Sequence, residues 1–165
     1  MKRNKEIEEI RRKLKYDRYF SNPYSPYSQC PNYLFVYLTY QYGWSIYPPC
    51  TMLFLYNEMD NVLKYASYSS RVFEEIGSIT PEPKLSIKNL FTIADQVPSH
   101  HIYDASYYFL YIKSDYIEKE FMFYDKYRKN YSPFEPILKT FDVQKEKELQ
   151  EEIERRMNEN DGNDI

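Results

Sequence analysis

From Tyr19 to Asn57 the chain carries no Asp, Glu, Lys, Arg or His, a gap of 39 residues in a protein whose charged fraction is 28%. Nothing else in the sequence constrains its folding as strongly. A stretch this long, this apolar and this rich in rings has to be withdrawn from water by some surface. The gap has two halves. Residues 21–32, SNPYSPYSQCPN, hold Pro23, Pro26 and Pro31 and are expected to be extended, near polyproline II. Residues 33–47, YLFVYLTYQYGWSIY, are aliphatic and aromatic, and Pro48 and Pro49 close them. We favour a helix there, while the β-branched and aromatic content keeps a strand open.

A bilayer-spanning helix needs about 20 mainly apolar residues. The run 33–47 falls short, and lengthening it through Leu55 crosses the two prolines, which lipid tolerates only where other protein satisfies the freed backbone groups. Burial against partner subunits is therefore the expected environment, with lipid contact over 33–55 and an ordinary core segment as the alternatives. The contact residues expected on this reading are Tyr24, Tyr27, Tyr33, Leu34, Val36, Tyr37, Leu38, Tyr40, Trp44 and Tyr47.

Aromatics support the same view. The chain has 20 Tyr, 10 Phe and one Trp. A tyrosine offers a large ring and a hydroxyl that needs a partner, which suits surfaces covered on one side and wet on the other. Glycines number three, Gly43, Gly77 and Gly162. So few argue against an all-β fold with many tight turns and against a glycine-lined phosphate loop.

Outside the gap, helical periodicity dominates. Residues 5–18 read as a charged helix capped by Asn4, with a thin stripe of Ile7, Ile10 and Leu14 and the pairs Glu8/Arg12 and Glu9/Lys13. Residues 1–18 sum to +4. This end lacks the apolar run of a secretory signal and holds more Glu than a mitochondrial presequence. Thr51 to Ile76 reads as one long helix through Leu55, Met59, Val62, Leu63, Ala66, Val72 and Phe73, stopped by Gly77. Residues 78–84 form a proline linker. Ser86 caps a short helix at 87–96, with Ile87, Leu90, Phe91 and Ala94 on one side. A further helix runs from about Tyr103 to Arg128, and 130–137 is an aromatic–proline extension. Residues 142–159 form a last helix with the stripe Leu149, Ile153 and Met157, and 142–165 sum to −5.

The expected fold is thus mainly α and non-compact, with several helices joined by Pro/Tyr-rich extended segments. It divides into an N-terminal arm (1–18), an uncharged segment (19–50), a helical body (51–141) and an acidic helix with its tail (142–165).

Chemistry-bearing motifs are sparse. Cys30 and Cys50 match no metal or redox spacing, and reduced thiols are expected. His100 and His101 are neighbours that point apart, so a metal site with Asp95 and Asp104 is disfavoured. Glu74/Glu75 and Glu118/Glu120 read as solvated faces. No nucleophile elbow, P-loop, dinucleotide fingerprint or zinc-protease motif occurs. No catalytic, cofactor-binding or metal residue is assigned, and no cofactor is expected. Net charge is −3, and the densest tyrosine stretch has no cation to interleave with its rings, so no nucleic acid is expected as partner. The one basic–aromatic cluster is YDKYRKNY at 124–131.

A basic arm, an uncharged middle and an acidic end imply three environments. The layout resembles lineage-specific accessory subunits of mitochondrial inner-membrane complexes. That resemblance implies a non-catalytic subunit of a respiratory-chain type complex at the mitochondrial inner membrane, among other protein subunits of a hetero-oligomer. The alternatives are a filament-associated structural protein, such as one lining ciliary microtubules, and a single-stranded nucleic-acid binder using stacked tyrosines.

Overall fold

The computed structural model describes residues 32–43, 46–69, 72–93, 105–114 and 117–162. Strands β1 (Tyr33–Gln41), β2 (Cys50–Asn57), β3 (Val62–Ser69) and β4 (Val72–Ile79) are followed by a short helix, α1 (Ile87–Phe91). Strands β5 (Tyr107–Ser114) and β6 (Ile117–Tyr124) come next, then a 3-10 segment (Asp125–Phe134) and a long helix, α2 (Glu135–Gly162). All six strands join one antiparallel sheet in the order β4-β3-β2-β1-β5-β6. The first strand is therefore central. The mainly helical, non-compact fold expected from the sequence is wrong: the protein is sheet-rich, and its two described α-helices flank one continuous sheet.

In place of the helix expected over 33–47, Tyr33–Gln41 forms a strand that is apolar on both faces. Leu34, Val36, Leu38 and Tyr40 point to one side, and Phe35, Tyr37 and Thr39 to the other, all at most 8% exposed. A central strand with both faces buried loses the period-2 alternation that marks a half-exposed one. Its register puts Leu38 opposite Met52 of β2 and Leu110 of β5.

The long helix expected at Thr51–Ile76 is instead β2, β3 and β4. Its three- and four-residue spacing is a coincidence, to which β2 contributes by burying residues on both of its faces. What breaks it is the turn between β2 and β3. The Asn57 Oδ1 accepts from the backbone N–H of Met59 (3.0 Å) and Asp60 (3.4 Å), and Asn61 sits at φ 51°. Asn tolerates this left-handed conformation better than any other residue except Gly, so the hairpin closes without one. Gly77, expected as a helix stop, lies in β4 opposite Tyr65, beside a register shift at Tyr65/Ala66. A Cβ at this position would meet the Tyr65 hydroxyl at 3.1 Å, so the missing side chain makes room for the ring.

The helix expected from Tyr103 to Arg128 is the β5–β6 hairpin with the start of the 3-10 segment. The extension expected at 130–137 is the end of that segment, broken at Tyr131 (φ −113°), running straight into α2. Two expectations agree with the structure. Ser86 caps α1 through the Asn89 N–H, although the described helix ends at Phe91. The helix at 142–159 lies within α2.

One face of the sheet carries the main core. Leu34, Val36 and Leu38 of β1, with Met52, Phe54 and Tyr56 of β2, meet Leu90 of α1, Phe134 of the 3-10 segment and Ile137 of α2 in one cluster. Tyr56 is fully buried, and its hydroxyl lies 2.8 Å from Asn61 Oδ1 and 3.2 Å from the Leu85 carbonyl. The opposite face is also buried, at Phe35, Tyr37, Leu53, Ala66, Phe109 and Tyr111. Its rings meet edge to face across the β1–β5 pair, as in Tyr37–Phe109 at 6.2 Å.

Candidate functional site

The element that reaches furthest from this core is α2. It is 28 residues long, about 42 Å at 1.5 Å per residue. It begins with Glu135 and Pro136, both suited to a first turn by charge and by a fixed φ. Its buried residues, Ile137, Leu138 and Phe141, all lie in its first two turns. Phe141 meets the Tyr108 ring edge to face at 6.1 Å. Tyr108 stacks on Phe123, and Phe123 stacks on Tyr131, at 5.0 and 4.0 Å.

One turn later the contacts become ionic. The Tyr108 hydroxyl accepts from Lys145 Nζ (3.1 Å) and Arg128 Nη1 (3.3 Å) and lies 3.5 Å from Asp142 Oδ1. Arg128 is pinned by Glu135 through two parallel bonds (2.8 and 3.1 Å) and by Asp142 at 2.7 Å. Lys145 also stands over the Tyr40 ring, 4.0 Å from its centre, while the Tyr40 hydroxyl donates to Asp125 at 2.9 Å. Burial, then the nearby carboxylates, pushes the Tyr108 phenol well above its ordinary value. The hydrogen bond that Arg128 donates to Glu135 is the largest cause that raises its guanidinium likewise. Each member of this group is engaged by another, so the cluster bolts α2 to β1, β5 and the 3-10 segment. It holds no idle acid or base.

Further along, Glu148 accepts from Ser67 of β3 and from Gln144, each at 3.1 Å. Burial and then Glu148 push the buried Cys50 thiol far up, so it stays protonated and unreactive. Leu149 and Glu152 close a cavity of about 40 Å³ with Tyr42, Tyr47, Pro48 and Pro49, room for about one water. Arg156 lies over the Tyr47 ring at 4.8 Å and donates to the Ile46 carbonyl.

The side of α2 turned away from the sheet is bare. Val143 is 72% exposed and Met157 60%. The helix here is held by its own ion pairs. Arg155 bridges Glu152 and Glu159, and Arg156 joins Glu152 at 2.9 Å. Hydrogen bonds from Arg155 and then Arg156 bring the Glu152 carboxyl down to about 2.

The expected contact residues do not form one outward surface. Leu34, Val36, Leu38 and Tyr40 fill the main core, and Tyr37 is buried on the opposite face. Tyr33 is half-buried, its hydroxyl accepting from Asn57 Nδ2 at 3.2 Å. Tyr47 packs under Arg156. Tyr24, Tyr27, Trp44, Cys30, Asp95, His100, His101 and Asp104 lie outside the described residues, as do the N-terminal helix and residues 21–31 of the extension. In the basic–aromatic cluster, Tyr124 and Tyr131 are buried and Arg128 is fully paired, which leaves Lys126, Tyr127 and Lys129 outward. Sequence reasoning missed the Tyr108–Arg128–Asp142–Lys145 group. Its sole linear signal, Asp142 and Lys145 one turn apart, looks like any solvated pair.

Among the described residues no group of three or more His, Cys, Asp or Glu is placed to hold a metal ion. No described helix is long and apolar enough to cross a membrane. Comparison with protein families, characterised proteins and solved structures finds no match to this chain.

Proposed function

We propose that this protein is a non-catalytic subunit of a hetero-oligomeric assembly, in which a self-sufficient sheet domain holds out the distal half of α2 as a docking arm. One observation carries the reading. The helix continues for more than five turns beyond Phe141, its last buried residue, with its shape kept by intrahelical ion pairs and a few polar contacts to the body. Isolated helices of that length are marginal in water. An extension that adds little to the core but keeps its charge pattern in order suits contact with another protein.

This differs from the reading of the sequence in where the partner sits. The uncharged run 19–57 is the reason to expect partner or lipid contact and an inner-membrane setting. Its two described strands, β1 and β2, lie at the centre of the chain's own sheet, so that reason no longer supports a mitochondrial inner-membrane complex, and the proposal does not include it. The same burial predicts that the isolated chain folds and stays monomeric at its own mass of 20.2 kDa.

The test compares particle masses. The purified chain should elute as a monomer, and the protein in a gently lysed source cell should elute in a heavier particle. Replacing Ile153 and Met157 together by Asp should return the cellular protein to monomer mass while the purified variant still melts cooperatively. A cellular particle of monomer mass, or a heavier one indifferent to those substitutions, overturns the proposal.

A further inference from the structure

On that reading, the distal half of α2 also indicates the chemistry of its partner. Leu149, Ile153, Met157 and Asp161 form one i,i+4 row, and Glu146, Gln150 and Glu154 form the adjacent row. Both arginines of this half are already used. Arg155 is neutralised by Glu152 and Glu159, and Arg156 by Glu152 while it covers Tyr47. Lys147 is about 100° round the helix from Glu146 and about two turns before Glu154, and it forms an ion pair with neither. Among the described residues no cation pairs with Glu146, Glu154 or Asp161, and Glu154 has only the Gln150 amide, at 3.1 Å.

A second observation comes from the end of the helix. The last turn of α2 holds no basic residue and does hold Glu159 and Asp161. The C-terminal end of a helix carries about half a negative charge, so acids there are repelled and cations favoured. The helix thus ends in the electrostatic arrangement that a positive partner would relieve.

We propose that this flank of α2, an apolar row bordered by acids and ending in an uncompensated helix C-terminus, docks a cationic amphipathic helix of another protein. Apolar residues of the partner would seat along Ile153 and Met157, and its Lys or Arg side chains would reach Glu146, Glu154 and Asp161. Nucleic acid and anionic lipid, the other common charged surfaces, are negative and so carry the wrong sign for this flank.

The experiment uses the full chain and a fluorescent peptide of Leu and Lys, about 18 residues long so as to form five turns, with Leu at i,i+3,i+4 spacing. Three controls accompany it: the same composition scrambled, a Leu/Glu counterpart, and phosphatidylserine vesicles. The patterned Leu/Lys peptide should bind about tenfold tighter than the scrambled one, a difference of about 1.4 kcal/mol. Glu146→Lys with Glu154→Lys should weaken it by a similar factor, as should Met157→Asp. All three positions face outward, so unchanged circular dichroism and melting temperature confirm that folding is intact. Equal binding of patterned and scrambled peptides, indifference to the substitutions, or capture by the vesicles overturns the proposal. If the cellular particle still falls apart on Ile153→Asp/Met157→Asp while the patterned peptide is not preferred, the docking role of α2 stands and the cationic partner is wrong.

Discussion

Strand β1 and the distal half of α2 differ in almost every respect that matters to a chain in water. All nine residues of β1 are uncharged, and those from Leu34 to Tyr40 are buried. After Phe141, α2 is dominated by Glu, Lys and Arg, and its inward side meets the body through Lys145, Glu148 and Arg156. The comparison shows what a charge-free run measures. It reports that a segment is covered, not what covers it. A strand flanked by two paired neighbours can bury side chains on both faces, where a surface helix buries one stripe, and needs no foreign protein to do so. A helix with a thin stripe reports the opposite case, in which the core has stopped contributing and the chain holds its form by local pairs.

The largest effect expected is from one charge placed in each region. Leu38 is fully buried between Met52 and Leu110. Leu38→Asp should cost several kcal/mol, enough to leave the chain unfolded or insoluble, because a carboxylate there has no partner and no water. Met157→Asp, at a site 60% exposed, should change stability by less than about 0.5 kcal/mol. Urea denaturation measures both. A normal midpoint for Leu38→Asp would remove β1 from the centre of the sheet.

A gentler pair of substitutions marks where α2 ceases to belong to the core. Phe141 is fully buried against Tyr108, so Phe141→Ala should cost about 3–5 kcal/mol through lost contacts and a cavity. Ile153→Ala, three turns on and half-buried, should cost less than about 1 kcal/mol. Equal costs would mean that the helix is packed along its whole length, and the docking arm would lose its basis.

How much of this was legible beforehand follows from the same physics. The short helix at Ser86 and the helix over 142–159 were readable, because a cap and an apolar stripe at four-residue spacing are local signals. The sheet was not. Strands β1, β2 and β5 bury both faces, so their apolar residues run on without alternation and happen to satisfy helical spacing. Weight placed on scarce glycine also misled, since Asn57 and Asn61 close the β2–β3 turn by side-chain bonding and a left-handed backbone. Better-used signals were in plain view: NEMDN between two β-branched and aromatic runs is a turn with a mechanism. The anchor group of α2 was beyond reach from sequence, because Tyr40, Tyr108, Arg128 and Asp142 meet only once the sheet exists.

Alkali should loosen that anchor before it touches the arm. Burial raises the phenols of Tyr40, Tyr56 and Tyr108 above their ordinary value of 10.0 and brings Tyr42 up to about 12. A raised phenol favours the folded state while neutral. That contribution is fully present below about pH 10 and is lost as pH climbs, through about 12 for Tyr42. The urea midpoint should therefore fall steadily above pH 10, and part of the tyrosinate absorbance should appear only with unfolding. Complete ionisation of all tyrosines near pH 10 in the folded protein would show that these rings are not buried as described.

The arm answers to acid instead, and more weakly. Arg155 and Arg156 hold Glu152 down to about 2, against an ordinary 4.5. A depressed carboxyl supports the folded form above its unfolded value and withdraws that support as pH falls toward the lower one. Between about pH 4.5 and 2 the distal turns of α2 should fray, while the strands keep their protection from amide exchange. The pairs lie at the surface, so added salt should mimic acid in part. Glu152→Gln should produce the same fraying at neutral pH and flatten its dependence on both acid and salt. Should exchange at Arg155 to Glu159 be unchanged in that variant, the ion pairs are bystanders. Whatever keeps the arm helical would then have to be sought in its contact with the 46–49 loop, through Tyr47 and the Ile46 carbonyl.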